Sequence, residues 1–154
     1  MASPDRLDEL QQATSSSPSS QSERLAEAAS PVTSLDFVAV PSTDWPRSRA
    51  FYVDTLGLRP DAKGKGEFWI GETCFGIYEP ATFGMEFAPQ KHAHIAMHVD
   101  DIVAARAELE GKGVEFSGET FDTGVCYMAF FEDPDGNALM LHHRYAPPPE
   151  SSDA

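Results

Sequence analysis

The chain is poor in cysteine and in positive charge, and it has no long apolar run. Only Cys74 and Cys126 occur in 154 residues, too few for the disulfide framework of a small secreted domain. A reducing, cytoplasmic setting is therefore expected. Eleven Lys and Arg stand against 25 Asp and Glu, a formal net charge of −14. Binding to phosphate backbones or anionic membranes needs a basic face. The only local basic clusters, Arg47/Arg49 and Lys63/Lys65, sit among acidic or apolar neighbours, which argues against nucleic acid or membrane as a partner. No stretch approaches the roughly 20 apolar residues of a membrane span, and the N-terminus lacks the basic start and apolar centre of a signal peptide.

What is present describes one globular domain with ends of different character. Hydrophobic residues make up 41% and aromatics 10% of the chain, enough for a workable core at this length. Residues 1–30 hold eight serines but only four of the large apolar residues, Met1, Leu7, Leu10 and Leu25. Such a segment cannot offset the entropy of ordering it. The expected organisation is a disordered, Ser-rich acidic tail over 1–31, a folded domain over 32–146, and a second Pro-rich disordered tail over 147–154. The folded part alone carries 18 acids against nine bases, so its surface is acidic without the tails. An acidic tail that captures another protein is one reading of the N-terminal segment.

The domain reads as two similar halves, each β-α-β-β-β, at a period of about 60 residues. Val32–Val40 is apolar and β-branched, as a mostly buried strand should be, and Pro41 ends it. Ser42-Thr43-Asp44 can cap a helix with Pro46 near its first position. Ala50, Phe51, Val53 and Leu56 have helical spacing, and Gly57 supplies a stop. Two strands, Glu67–Ile70 and Thr73–Tyr78, follow around Gly71-Glu72. The order then repeats: a strand at Ala93–Val99, a cap at Asp100-Asp101, and a helix through Ile102, Ala105 and Leu109 that ends at Gly111 and Gly113. Strands at Val114–Phe116, Val125–Phe131 and Ala138–His143 complete the half, with Asp133-Pro134-Asp135-Gly136-Asn137 as the last turn. The fold class is α+β: two βαβββ modules forming a cup-shaped mixed sheet with helices on the outer face.

Three stretches carry a family resemblance: Phe51-Tyr52-Val53-Asp54-Thr55-Leu56-Gly57-Leu58, His94-Ile95-Ala96-Met97-His98-Val99-Asp100-Asp101, and Phe130-Phe131-Glu132-Asp133-Pro134-Asp135-Gly136-Asn137. In this order and spacing they resemble the vicinal oxygen chelate superfamily of glyoxalase I, bleomycin- and fosfomycin-resistance proteins and extradiol dioxygenases. The resemblance implies chains that pair, so that two copies complete the cups, and a homodimer is expected. It also implies four metal-ligand positions on the cup-facing strands, which fall here at Phe37, Gly76, His94 and Met140. Only His94 is a ligand type, and a catalytic zinc-type centre draws on about three protein ligands. The usual four-ligand metal centre is therefore not expected, and no cofactor is assigned.

Strand alternation suggests a second constellation. His92, His94, Ala96 and His98 share one face, and Ala138, Met140 and His142 share the matching face of the last strand. The cup lining expected from these patterns is Phe37, Cys74, Gly76, Tyr78, His94 and Met140. Four of the five histidines could line one cavity, as solvated or hydrogen-bonded side chains, as acid/base groups, or as a displaced metal site. For a divalent metal, His94 is the first candidate ligand, with His92, His98, His142 or Glu79 as partners and Glu86 as a further carboxylate. As acid/base groups, His94 and His142 are the candidates. Cys74 and Cys126 read as small inert hydrophobes. Phe68, Trp69, Phe75, Tyr78, Phe83, Phe87 and Tyr127 read as core or interface residues that can also wall a ligand. Gly64-Lys65-Gly66 lacks a phosphate-loop pattern and reads as a loop.

The leading functional expectation is a domain that holds a small, partly apolar molecule in its cup. The alternative is a divalent-metal lyase, isomerase or dioxygenase using the displaced histidines.

Overall fold

A computed structural model describes residues 30–148. The chain divides into Met1–Leu35 and Asp36–Ala154, and among the described residues every strand and helix belongs to the second unit. The tails expected at 1–31 and 147–154 lie almost wholly outside the described residues.

The first half contains β1 (Phe37–Pro41), α1 (Trp45–Ala50), β2 (Arg59–Pro60), β3 (Glu67–Ile70) and β4 (Thr73–Tyr78). The second contains β5 (Ile95–His98), α2 (Ile102–Gly111), β6 (Phe121–Asp122), β7 (Cys126–Glu132) and β8 (Ala138–Arg144). Each half makes a four-stranded sheet, in the orders β1-β4-β3-β2 and β5-β8-β7-β6. In both, the first and last strands run parallel and the remaining pairs are antiparallel. The internal repeat read from the sequence is thus a repeat of topology.

Differences at strand ends follow from the lengths of the partners. β1 starts at Phe37 rather than Val32 because Phe37 pairs with Cys74, one residue inside the start of β4. The partner strand begins at Thr73, so it offers no ladder that could extend back to Val32, and Val32 and Leu35 are exposed. β5 starts at Ile95 rather than Ala93 because the Gln90 side chain takes both backbone polar groups of Ala93. Val114–Phe116 forms no strand beyond an isolated bridge from Phe116 to Phe131. The pairing is made instead by Phe121–Asp122.

Both helices begin as their sequences suggest. Asp44 caps α1 by accepting from Arg47 N at 3.1 Å, and Asp101 caps α2 by accepting from Ala104 N at 3.0 Å. The helical pattern expected as far as Leu56 continues past α1, but Phe51–Thr55 adopts a wider π turn. Gly57 then takes a left-handed conformation, φ +74°, which glycine adopts without steric cost.

One apolar core joins the halves. Val40, Phe68, Phe75 and Ile77 of the first sheet, Met97, Phe131, Leu139 and Leu141 of the second, and Tyr52, Ile102 and Leu109 from the helical segments belong to a single buried cluster. Alternation therefore turns the other face of each sheet outward: Phe37 is 64% and Phe121 57% exposed.

The Asp133–Asn137 turn ties the halves together. Asp133 Oδ1 accepts from the backbone N–H of Asp135 and Asn137. Its Oδ2 accepts from Tyr52 Oη at 2.6 Å and from Asn137 Nδ2 at 2.8 Å. Asn137 Nδ2 also donates to Pro41 O at 2.8 Å. Asp135 accepts from Thr43 N, Thr43 Oγ1, Arg47 and Ser48 Oγ. Tyr52, Ser48 and Asn137 have no exposed surface, so the centre of this polar cluster is buried and satisfied while Thr43 and Arg47 lie at its exposed rim.

Candidate functional site

The outward face of the first sheet is concave and small-residued at its centre. Register sets Phe37, Cys74 and Trp69 in one row and Ala39, Gly76 and Glu67 in the next. With Asp36, Ile77, Tyr78 and the Gly64–Gly66 loop they line a cavity of about 530 Å³. Its floor is Ala39, Cys74 and Gly76, and its aromatic surfaces are Phe37, Trp69 and Tyr78. The loop closes one end because Gly66 O accepts from Ile77 N at 2.8 Å. A Cβ at residue 66 would stand 2.6 Å from Ile77 O, so glycine permits this approach.

A carboxylate behind the wall holds the indole. Asp61 Oδ2 accepts from Trp69 Nε1 at 2.8 Å, and Oδ1 accepts from Lys63 N and Gly64 N at 2.7 Å. The Gly64 backbone bond, then the indole, lowers the Asp61 pKa to about 2. On the floor, burial first, and then the charges of Glu67 and Asp61, push the Cys74 thiol up. It remains a protonated thiol near neutral pH, a weak nucleophile. Cys126 is buried beside Thr123 Oγ1 at 3.1 Å. A neighbouring cavity of about 500 Å³ shares Tyr78 with the bay and adds Trp45, Glu79 and Phe83.

The outward face of the second sheet is different. Ala96 pairs with Met140, which pairs with Phe130, while His98 pairs with His142, which pairs with Met128. His94 lies edge-on to Phe130, centroids 5.2 Å apart. His98 Nε2 lies 3.0 Å from Asp100 Oδ1, and its ring is 5.9 Å from that of His143. His143 Nδ1 donates to the Val99 carbonyl at 2.9 Å. His92 is exposed.

Of the residues expected to line the cup, Phe37, Cys74, Gly76 and Tyr78 border the first-sheet bay, while His94 and Met140 do not. Helical residues cover the inner face of each sheet, Tyr52 stacking on Phe68 and Phe75 in the first half and Ile102 and Leu109 of α2 sharing the buried cluster with Leu139 and Leu141 in the second, and the bay on the first sheet includes no residue of the second. Glu79 borders the cavity beside Tyr78 rather than the histidines, and Glu86 is exposed in the linking segment. The four family ligand positions supply one imidazole, an aromatic ring, a glycine and a thioether, a donor set that does not fit a divalent ion. Among the described residues no three His, Cys, Asp or Glu side chains converge as a metal site. Ala39, Glu67 and the Gly-Lys-Gly loop were not singled out from the sequence as lining. The alternation that placed Phe37 and Gly76 outward could have found the first two.

Residues 34–141 match the Glyoxalase/Bleomycin resistance protein/Dioxygenase superfamily. The Escherichia coli (strain K12) protein YaeR, itself uncharacterized, is 32% identical over 120 residues, covering 70% of this chain and 93% of its own. TnmS3, an antibiotic binding protein from Streptomyces sp. CB03234, is 24% identical with a TM-score of 0.60, covering 75% of this chain and 98% of its own. Lactoylglutathione lyase from Agrobacterium tumefaciens is 19% identical with a TM-score of 0.62, covering 73% and 95%. A binder and a lyase thus share the fold with this chain at similar distance, and at that identity the likeness concerns fold alone. By the length and position of the superfamily match, the chain belongs to the Glyoxalase/Bleomycin resistance protein/Dioxygenase superfamily.

Proposed function

We propose that this protein binds a small, partly apolar, ring-bearing molecule in the first-sheet bay. The observation that carries the reading is the floor of that bay. Ala39, Cys74 and Gly76 leave about 530 Å³ open between Phe37, Trp69 and Tyr78, and concave sites of this size with few polar groups are where small molecules bind. Phe37 and Gly76 occupy positions where metal-dependent relatives are expected to carry donor atoms. Here they contribute an aromatic surface and free space. The use of this fold by TnmS3 for antibiotic binding supports the reading by analogy.

The working unit is a homodimer in this reading. The bay is open on one side, and the second sheet leaves His94, Ala96, His98 and Phe121 exposed. Pairing two copies would cover both outer faces and set imidazoles across from the bay. His94 and His142 are then the groups that orient the ligand or move a proton. Among the described residues no helix is long and apolar enough to cross a membrane. The two free cysteines support a reducing, cytoplasmic setting.

Gly76→Leu tests the reading. A Cβ at residue 76 would meet nothing closer than 3.6 Å, so the variant should fold with its side chain in the bay. In a thermal-shift screen of aromatic metabolites, a compound at about 100 times its Kd stabilises the wild type by about 2.7 kcal/mol. That stabilisation should vanish in Gly76→Leu, and an unchanged shift would refute the bay as the site. Sedimentation velocity should give a two-chain mass.

A further inference from the structure

The charge around the bay narrows the ligand class. The aromatic surfaces of Phe37, Trp69 and Tyr78 are accompanied by two carboxylates, Asp36 and Glu67, and one ammonium, Lys65. Glu67 pairs with Gly76 across the strands, its exposed carboxylate lies beside Gly64 at the mouth of the bay, and it has no ion-pair partner among the described residues. Asp61 adds a charge behind the indole of Trp69, partly offset by Lys63. Cys74, on the floor between them, feels both Glu67 and Asp61. The surroundings do not reverse this sign, since residues 31–146 carry 18 acids against nine bases.

We infer that the preferred occupants of the bay are organic cations, flat aromatic bodies bearing an ammonium or delocalised positive charge. The inference rests on the bay being the ligand site proposed above. Two independent features point the same way. Aromatic faces attract cations through their quadrupoles, and three such side chains border one space. A carboxylate without an ion-pair partner gains from an arriving cation, is left as it was by a neutral ring, and repels an anion. Lys65 does not cancel this preference. It is exposed on a flexible stem at the mouth, shared with the neighbouring cavity, and can carry its charge into water while its methylenes stay against the wall.

The test uses three isosteric probes on the full-length protein at mildly alkaline pH: 9-aminoacridine, a cation there; acridine, neutral; and acridine-9-carboxylate, an anion. Calorimetry or fluorescence titration gives the three affinities for wild type, Glu67→Gln and Gly76→Leu, with circular dichroism confirming that each variant is folded. The cation should bind about tenfold or more tightly than acridine, with the anion weakest. Glu67→Gln should lower that ratio about threefold while leaving the affinity for acridine within about twofold, because the ring contacts are unchanged. Equal binding of cation and neutral ring, abolished by Gly76→Leu, would overturn the cation preference and keep the bay. A cation preference that survives intact in Glu67→Gln would overturn the role of that carboxylate. Binding of none of the probes, or binding indifferent to Gly76→Leu, would overturn both the inference and the reading beneath it.

Discussion

Replacing Tyr52 with phenylalanine removes a single oxygen from the place where the two halves are tied. The ring would stay where it is, 4.8 Å from Phe75, 5.8 Å from Phe68 and 5.2 Å from Phe51 by centroids. The loss is thus confined to the 2.6 Å hydrogen bond from Tyr52 Oη to Asp133 Oδ2. A hydrogen bond to a charged group contributes about 1.5–3 kcal/mol. Asp133 Oδ2 keeps the Asn137 amide and Oδ1 keeps two backbone donors, which favours the lower part of that range, about 2 kcal/mol. Urea unfolding of the full chain should show a lower midpoint with unchanged m, since the surface exposed on unfolding is the same.

The alkaline limb supplies a second readout. Burial first, and then Asp133, push the Tyr52 phenol well above its ordinary value. The unfolded tyrosine ionises near pH ~10, so above that pH the unfolded state alone releases the proton. The stability this group contributes is full below pH ~10 and declines as pH rises further. The gap between wild type and Tyr52→Phe should therefore narrow from pH ~10 upward. A midpoint shift worth under about 0.5 kcal/mol, or a gap that stays constant through the alkaline limb, would refute this account of the tie.

Three further variants test the tie and the bay. Burial raises the Asp135 carboxyl, but bonds from Thr43 and Ser48 outweigh it and hold the pKa below the usual range. Its stabilising contribution is present above the unfolded value of about 3.9 and is lost as pH falls below it. Asp135→Asn should be less stable than wild type near neutrality, with the difference shrinking in acid urea titrations; a difference independent of pH would count against the ionised tie. In the bay, Gly66→Ala forces a methyl to within 2.6 Å of Ile77 O and should cost about 1–3 kcal/mol. Gly76→Ala meets only ordinary contacts of 3.6 Å and beyond, and should be neutral or slightly stabilising, by up to about 1 kcal/mol. Equal melting temperatures for the two variants would show that the loop does not approach β4 so closely.

Local signals in the sequence were strongest where a short segment settles its own conformation. Asp44 and Asp101 cap the helices that their positions suggested, and the Gly71-Glu72 turn separates β3 and β4 as expected. Two-residue strands were not legible. Arg59–Pro60 and Phe121–Asp122 have no pattern of their own and exist because β3 and β7 offer them an edge. β1 starts later than its composition suggests because a strand ends where its partner does, and β5 because the Gln90 side chain occupies both backbone polar groups of Ala93. The Asp133–Asn137 run was recognised as a turn, yet nothing in those five residues tells that Tyr52, Thr43, Arg47 and Ser48 would converge on it from about 80–90 positions away.

The sequence by itself determined the βαβββ repeat, the acidic surface, and which side chains point outward along each strand, because period, charge and alternation are local properties of the chain. It also determined that Phe37, Gly76 and Met140 bring no ligand atoms suited to a hard divalent ion. Tertiary structure decided which outward residues share a space. Phe37, Cys74, Gly76 and Tyr78 gather around one bay because the first sheet sets β1, β3 and β4 side by side, while His94, His142 and Met140 belong to the second half and do not border it. No alternation pattern records that choice, since it depends on which strands pair in one sheet.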